Sequence, residues 1–226
     1  MDKAKSKLIS EINLAFEKNR NPSKALSMQA YMKDKFLFYG ISAPDRVAIC
    51  RELFKTNIPN SSSEFKLELN ALWGNIEREW QYTSILYASK NKKFWTESIV
   101  QDFEDMLTTK SWWDTVDTVS STCIVPYFRF FPEKKAELLQ KWEKSNNLWL
   151  KRVCIIHQLT YKSDTDLNYL SHIIISNKHD NGFFIQKAIG WSLRQYAKTN
   201  PIWVKKFVES VDLKPLSVRE ALKNIK

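Results

Sequence analysis

The sequence predicts an all-α protein, and more specifically a solenoid of stacked helical pairs. Three observations carry that expectation. Turn-forming residues are few: 4 glycines and 7 prolines in 226 residues, where a multi-stranded fold would need many more to close its turns. Helix start and stop signals recur along the whole chain. Aromatic-led segments also return at near-constant spacing. Trp80, Trp113, Trp149 and Phe184 are separated by 33, 36 and 35 residues, and a period of that size, made of two helices, marks a helical solenoid. Each repeat then stacks on its neighbours, and the small rotation per repeat generates a concave surface. An irregular helical bundle is the alternative fold.

Taken in order, the first twenty residues form an amphipathic segment bearing both signs of charge. They lack the apolar core and small-residue cleavage site of a signal peptide. Asn21-Pro22 and Asn200-Pro201 each read as an N-cap followed by proline at the first helical position. Ser61 with Glu64, Ser163 with Asp166 and Ser217 with Glu220 have capping-box spacing. Gly40, Gly74 and Gly182 fall where helices would start or stop. Between these marks, apolar residues recur at helical spacing, as in Leu148, Val153, Ile156 and Leu159, and about a dozen short helices are expected. Residues 57–63 are the most linker-like stretch. They are too short to bound a domain, so residues 1–226 read as one domain.

Charge and ring content point to a polyanionic partner. Lysine and arginine number 35 against 25 acidic residues, a net charge of +10, and nucleic acid is the usual partner of such a balance. Nine tryptophans suit base or sugar contact as well as packing between helices. Other classes are disfavoured. The cysteines (Cys50, Cys123 and Cys154) are odd in number and widely spaced, with no CxxC, so they read as small buried hydrophobes. His172 and His179 are not at HxxxH spacing, and no metal site is expected. GxGxxG, P-loop and GxSxG motifs are absent, and no apolar run is long enough to span a membrane. A cytoplasmic monomer without cofactor is the expectation.

The densest chemical signal is Lys110-Ser111-Trp112-Trp113-Asp114-Thr115-Val116-Asp117. Trp113 and Asp117 share a helix face at i,i+4. Ser111 reads as the N-cap, with Asp114 closing a capping box beside the positive helix end. Asp117 lies a turn further in, where a buried carboxylate must be paired or do chemistry. In a solenoid, Lys151 and Arg152 from the next repeat and Lys187, Trp191 and Arg194 from the one after would converge on the same wall. If Arg152 neighbours Asp117, the carboxylate should stay ionised. A fixed anion beside indole faces suits a cationic group or intermediate; a plain interhelix ion pair is the structural alternative. Lys187, Trp191 and Arg194 form a basic–aromatic–basic stripe suited to a phosphate backbone, although two solvated cations flanking a packed tryptophan would give the same pattern.

These residues also carry a resemblance. Tyr31-Met32-Lys33, Phe36-x-Phe38-x-Gly40-Ile41, Pro44-x-Arg46, the octad, Leu148-Trp149-Leu150-Lys151-Arg152, Lys187 through Arg194 and Ser217 through Ala221 together resemble the AlkD family of DNA alkylation-repair glycosylases. The resemblance implies a right-handed superhelical solenoid of HEAT-like repeats with a concave basic face. It implies Asp117 as the catalytic carboxylate, Trp113 and Trp191 as active-site tryptophans, Arg152 beside the aspartate and Tyr31 at the cleft. Lys33, Arg46, Lys110, Lys151, Lys187 and Arg194 join Tyr31 as candidate DNA contacts, Lys151 by the loosest match. The implied substrate is double-stranded DNA containing alkylated bases. The implied reaction is hydrolysis of the N-glycosidic bond of a cationic purine such as N3-methyladenine or N7-methylguanine, on an open face without a base pocket. A non-catalytic helical-repeat module binding distorted DNA or a protein partner is the competing function.

Overall fold

The computed structural model describes residues 6–225, and all regular structure among them is helical. The chain divides into two compact units, one ending at Asp102 and the other beginning at Phe103.

Unit 1 contains α1 (Lys7–Lys18), α2 (Pro22–Tyr31), α3 (Ala43–Thr56), α4 (Ser62–Gly74) and α5 (Arg78–Lys90). The boundary falls inside α6 (Ile99–Thr108). α1 forms because Leu8, Ile12 and Phe16 recur on one face and are buried. Its N-terminus is closed by Ser6, whose hydroxyl accepts from the Ile9 amide. α1 packs on α3 and α4, and α5 on α3 and α4, around Phe65, Leu69, Leu72, Trp80 and Ile85. The Asn21-Pro22 start is as expected, with Asn21 Oδ1 accepting from the Lys24 amide at 3.0 Å. Ser61 caps α4 as expected, but Glu64 reaches back to the amide of Asn60 rather than to that of Ser61.

Unit 2 continues with α7 (Trp113–Val119), a π-helical turn (Ser120–Ile124), α8 (Val125–Phe130), α9 (Lys135–Glu143), α10 (Leu148–Ile156), α11 (Leu167–Asn177), α12 (Phe183–Tyr196), α13 (Pro201–Ser210) and α14 (Pro215–Leu222). α7, α10, α12 and α14 pack in series, each on the next. The π turn prepares for Pro126, which has no N–H to give and crowds the carbonyl four residues back. The Val125 amide instead reaches the Ser120 carbonyl, five residues back. Gly190 is required for the α12–α14 contact, because a Cβ there would stand 2.4 Å from Glu220 Cβ and 2.8 Å from the Ser217 carbonyl oxygen.

Two of the expected capping boxes are not caps. Asp166 itself is the N-cap of α11, accepting from the Tyr169 amide, and Ser163 lies upstream in a short 3-10 turn. Ser217 is inside α14 and donates to the Gln186 carbonyl on α12. The spacing alone cannot distinguish a cap from a side chain tied to a neighbouring helix. The three cysteines are buried, as expected. Among the described residues, no helix is long and apolar enough to cross a membrane, and no cluster of three or more His, Cys, Asp or Glu side chains could hold a metal.

Candidate active site

The site in unit 2 is built on α7, α10 and α12. Trp112, Trp149 and Phe184, one near the start of each helix, form an aromatic layer. Trp112 and Trp149 lie 5.8 Å from each other, and each lies 4.9 Å from Phe184, centroid to centroid. The ring at α7 that joins Trp149 and Phe184 in this layer is Trp112, the residue before the Trp113 used in the repeat spacing. This leaves the half-buried Trp113 to open the helix that carries Asp117.

The start of α7 also differs from expectation. Trp112 is the N-cap, with no side-chain capping bond. Ser111 Oγ instead donates back to the Leu107 carbonyl at 2.7 Å. Asp114 remains in the first turn, where it favours the positive helix end.

Asp117 and Arg152, 35 residues apart in sequence, meet in fork geometry. Arg152 Nε donates to Asp117 Oδ1 at 2.7 Å and Nη2 to Oδ2 at 2.8 Å. Arg152 Nη1 donates to the Phe184 carbonyl at 2.7 Å, so one guanidinium ties α7, α10 and α12 together. Arg152 is buried, while the Asp117 side chain keeps 17% of its surface exposed. The Trp191 ring stands 5.9 Å from the guanidinium carbon, within cation–π range. The carboxyl does not behave as expected from the pairing alone. Burial pushes Asp117 above the usual aspartate range; Arg152 pulls it back without cancelling the effect, and Asp114 adds to the rise.

The other candidates in unit 2 divide into two groups. Lys110, with φ 50°, leads into α7, and Lys151 precedes Arg152 on α10. Lys187 and Arg194 converge on a residue whose role the sequence did not disclose. Lys187 Nζ lies 2.7 Å from Glu220 Oε1, and Arg194 Nη1 bonds Oε2 of the same side chain. The two cations hold the Glu220 carboxyl down at about 2. The basic–aromatic–basic stripe is thus a closed ion cluster around α14, with Trp191 between its two cations on α12. No local pattern reveals this, because Glu220 is 33 and 26 residues from its partners.

Tyr31, Lys33 and Arg46 belong to unit 1. Tyr31 ends α2 and is 68% exposed. Lys33 is exposed, with φ 59°. Arg46 lies on α3 with its guanidinium 4.7 Å from the Tyr82 ring centroid.

Residues 12–225 match the family model described as DNA alkylation repair enzyme. A solved structure described as a predicted DNA alkylation repair enzyme from Enterococcus faecalis is 36% identical and superposes with a TM-score of 0.83, covering 91% of this chain and 96% of that one. No curated protein matches the chain. The chain belongs to the DNA alkylation repair enzyme family.

Proposed function

We propose that the protein is a monofunctional DNA glycosylase that hydrolyses the N-glycosidic bond of cationic alkylated purines in duplex DNA. The observation that carries this reading is the partly exposed Asp117 carboxylate, fixed by Arg152 beside Trp191. A purine alkylated at N3 or N7 already bears positive charge, so its departure needs no general acid. As the C1′–N bond breaks, its electron pair neutralises the base and positive charge builds on the deoxyribose. A preoriented carboxylate stabilises that charge. Its burial-raised proton affinity also suits it to accept the proton of the attacking water. Trp113 and Trp191 would lie against the sugar and exclude bulk water, while Lys110 and Lys151 would reach phosphates.

A second reading has its own support. Both Asp117 oxygens are engaged by Arg152, as in an interhelix tie of a non-catalytic DNA-binding module. Asp117→Asn separates the two. The glycosylase reading expects loss of methylated-purine release from duplex DNA by about 100-fold or more, with duplex affinity retained. A wild-type protein that releases no methylated purine overturns the enzyme, and a fully active Asn variant overturns the site. Affinity should fall steeply with salt, since phosphate contacts release counterions.

A further inference from the structure

Of the candidate DNA contacts of unit 1, Tyr31 and Arg46 flank one irregular segment, residues 32–42, between α2 and α3, and Lys33 lies within it. The segment bends sharply: Lys33, Asp34 and Gly40 all have positive φ, 59°, 55° and 85°. It is nevertheless pinned throughout. The Asn21 amide donates to the Tyr39 carbonyl at 2.9 Å, and the Arg78 amide donates to the Leu37 carbonyl at 2.8 Å. The Arg78 guanidinium stands 3.8 Å from the Phe36 ring centroid, and Trp80 Nε1 donates to the Tyr39 hydroxyl. At the centre is Glu79, which is fully buried. Its Oε1 accepts from the amides of Gly40 and Ile41 at 2.9 and 3.1 Å, and its Oε2 from that of Tyr39 at 3.1 Å. Successive backbone N–H groups converging in this way form an anion-binding nest. Here the anion is supplied from the start of α5.

We propose that Glu79 is a positioning residue for DNA recognition: by filling the Tyr39–Ile41 nest, it fixes where Tyr31 and Lys33 on one side and Arg46 on the other stand. Two features favour this over simple packing. A buried carboxylate is costly where an apolar side chain would pack, and what Glu79 holds directly is the backbone of the segment, through three amides, with Arg46 close enough to feel its charge. The segment it holds buries Met32, Phe38, Tyr39 and Ile41 but displays residues 33–35 and Leu37, next to the 68% exposed Tyr31 at the end of α2. Gly40 completes the device. A Cβ there would stand 2.1 Å from the Asn21 carbonyl oxygen, so the nest closes only around glycine.

The inference rests on the proposed glycosylase reading, and its test separates the two. Glu79→Gln is isosteric but directs an amide NH2 at donors that need an acceptor. It should raise KM for methylated duplex five- to tenfold, leave kcat at saturation within twofold, and speed amide exchange of residues 39–41 ahead of the rest of unit 1. Glu79→Asp, which keeps the charge at shorter reach, should give an intermediate KM and also serves if the Gln variant does not fold. Leu69→Ala, in the core of unit 1, is the stability control and should lower Tm without moving KM. Wild-type KM in both Glu79 variants, or a KM rise in Leu69→Ala equal to theirs, overturns the assignment. A wild-type protein that binds no duplex DNA overturns the reading beneath it.

Discussion

Each compact unit buries a carboxylate of consequence, and the two are held by different kinds of partner. In unit 1, three backbone amides close around Glu79, which has no exposed surface. In unit 2, Asp117 is gripped on both oxygens by one guanidinium and keeps an edge open to solvent. Burial raises the proton affinity of both. An anion enclosed by the backbone can only shape the chain around it. An anion held from one side by a side chain remains available to a reacting group. On the proposed reading, accessibility rather than the shift in proton affinity separates a chemical carboxylate from an architectural one.

The largest expected effects would break that distinction outright if they failed. Asp117→Asn should remove at least about 100-fold of base release at unchanged KM. Glu79→Gln should do the reverse, and matching steady-state phenotypes would erase the contrast. Next in size is loss of the single partner. Arg152→Met strands a buried carboxylate and should cost about 3–5 kcal/mol in urea unfolding of unit 2, whereas no one side chain plays that part for Glu79. The paired glycines sharpen the comparison further. Gly40→Ala meets both a left-handed backbone and the Asn21 carbonyl and should cost unit 1 about 3–4 kcal/mol in the same assay. Gly190→Ala meets only the α14 contact and should cost about 1–3 kcal/mol.

Acid gives an effect of similar size, and the most unit-specific one. Buried His157 is held neutral in unit 2, its pKa pushed down to about 4 by burial. A base with a lowered folded pKa contributes stability above its unfolded value of 6.5 that is lost as pH falls towards 4, up to about 3 kcal/mol in all. Amide exchange at pH 4.5 should therefore open α10 well before α5, and His157→Gln should flatten that pH dependence. Equal opening of both helices would contradict it.

The helical class, the Asn21 and Asn200 caps and the partnership of Asp117 with Arg152 were legible in the sequence. Each depends on a short-range pattern or on a repeat period that brings two helices into register. What escaped depends on side chains crossing between helices. Ser217 and Glu220 have capping-box spacing, yet both turn towards α12. Tandem tryptophans also leave a one-residue ambiguity that only the packing of Trp149 and Phe184 resolves, assigning Trp112 to the aromatic layer. The Asp117 carboxyl was expected to stay low beside Arg152, but the cost of burial outweighs the pairing.

The π turn at Ser120–Ile124 has a consequence for how this site can vary over generations. It holds one residue more than an α-helical turn, which offsets everything downstream by about 100° around the helix axis. Asp117 lies before the offset, while Tyr127 and Phe128, which anchor α8 in the core, lie after it. The face that carries Asp117 and the anchoring face are thus set in separate phases. Losing one codon within the turn would leave Asp117 in place but swing the anchoring rings around the rod.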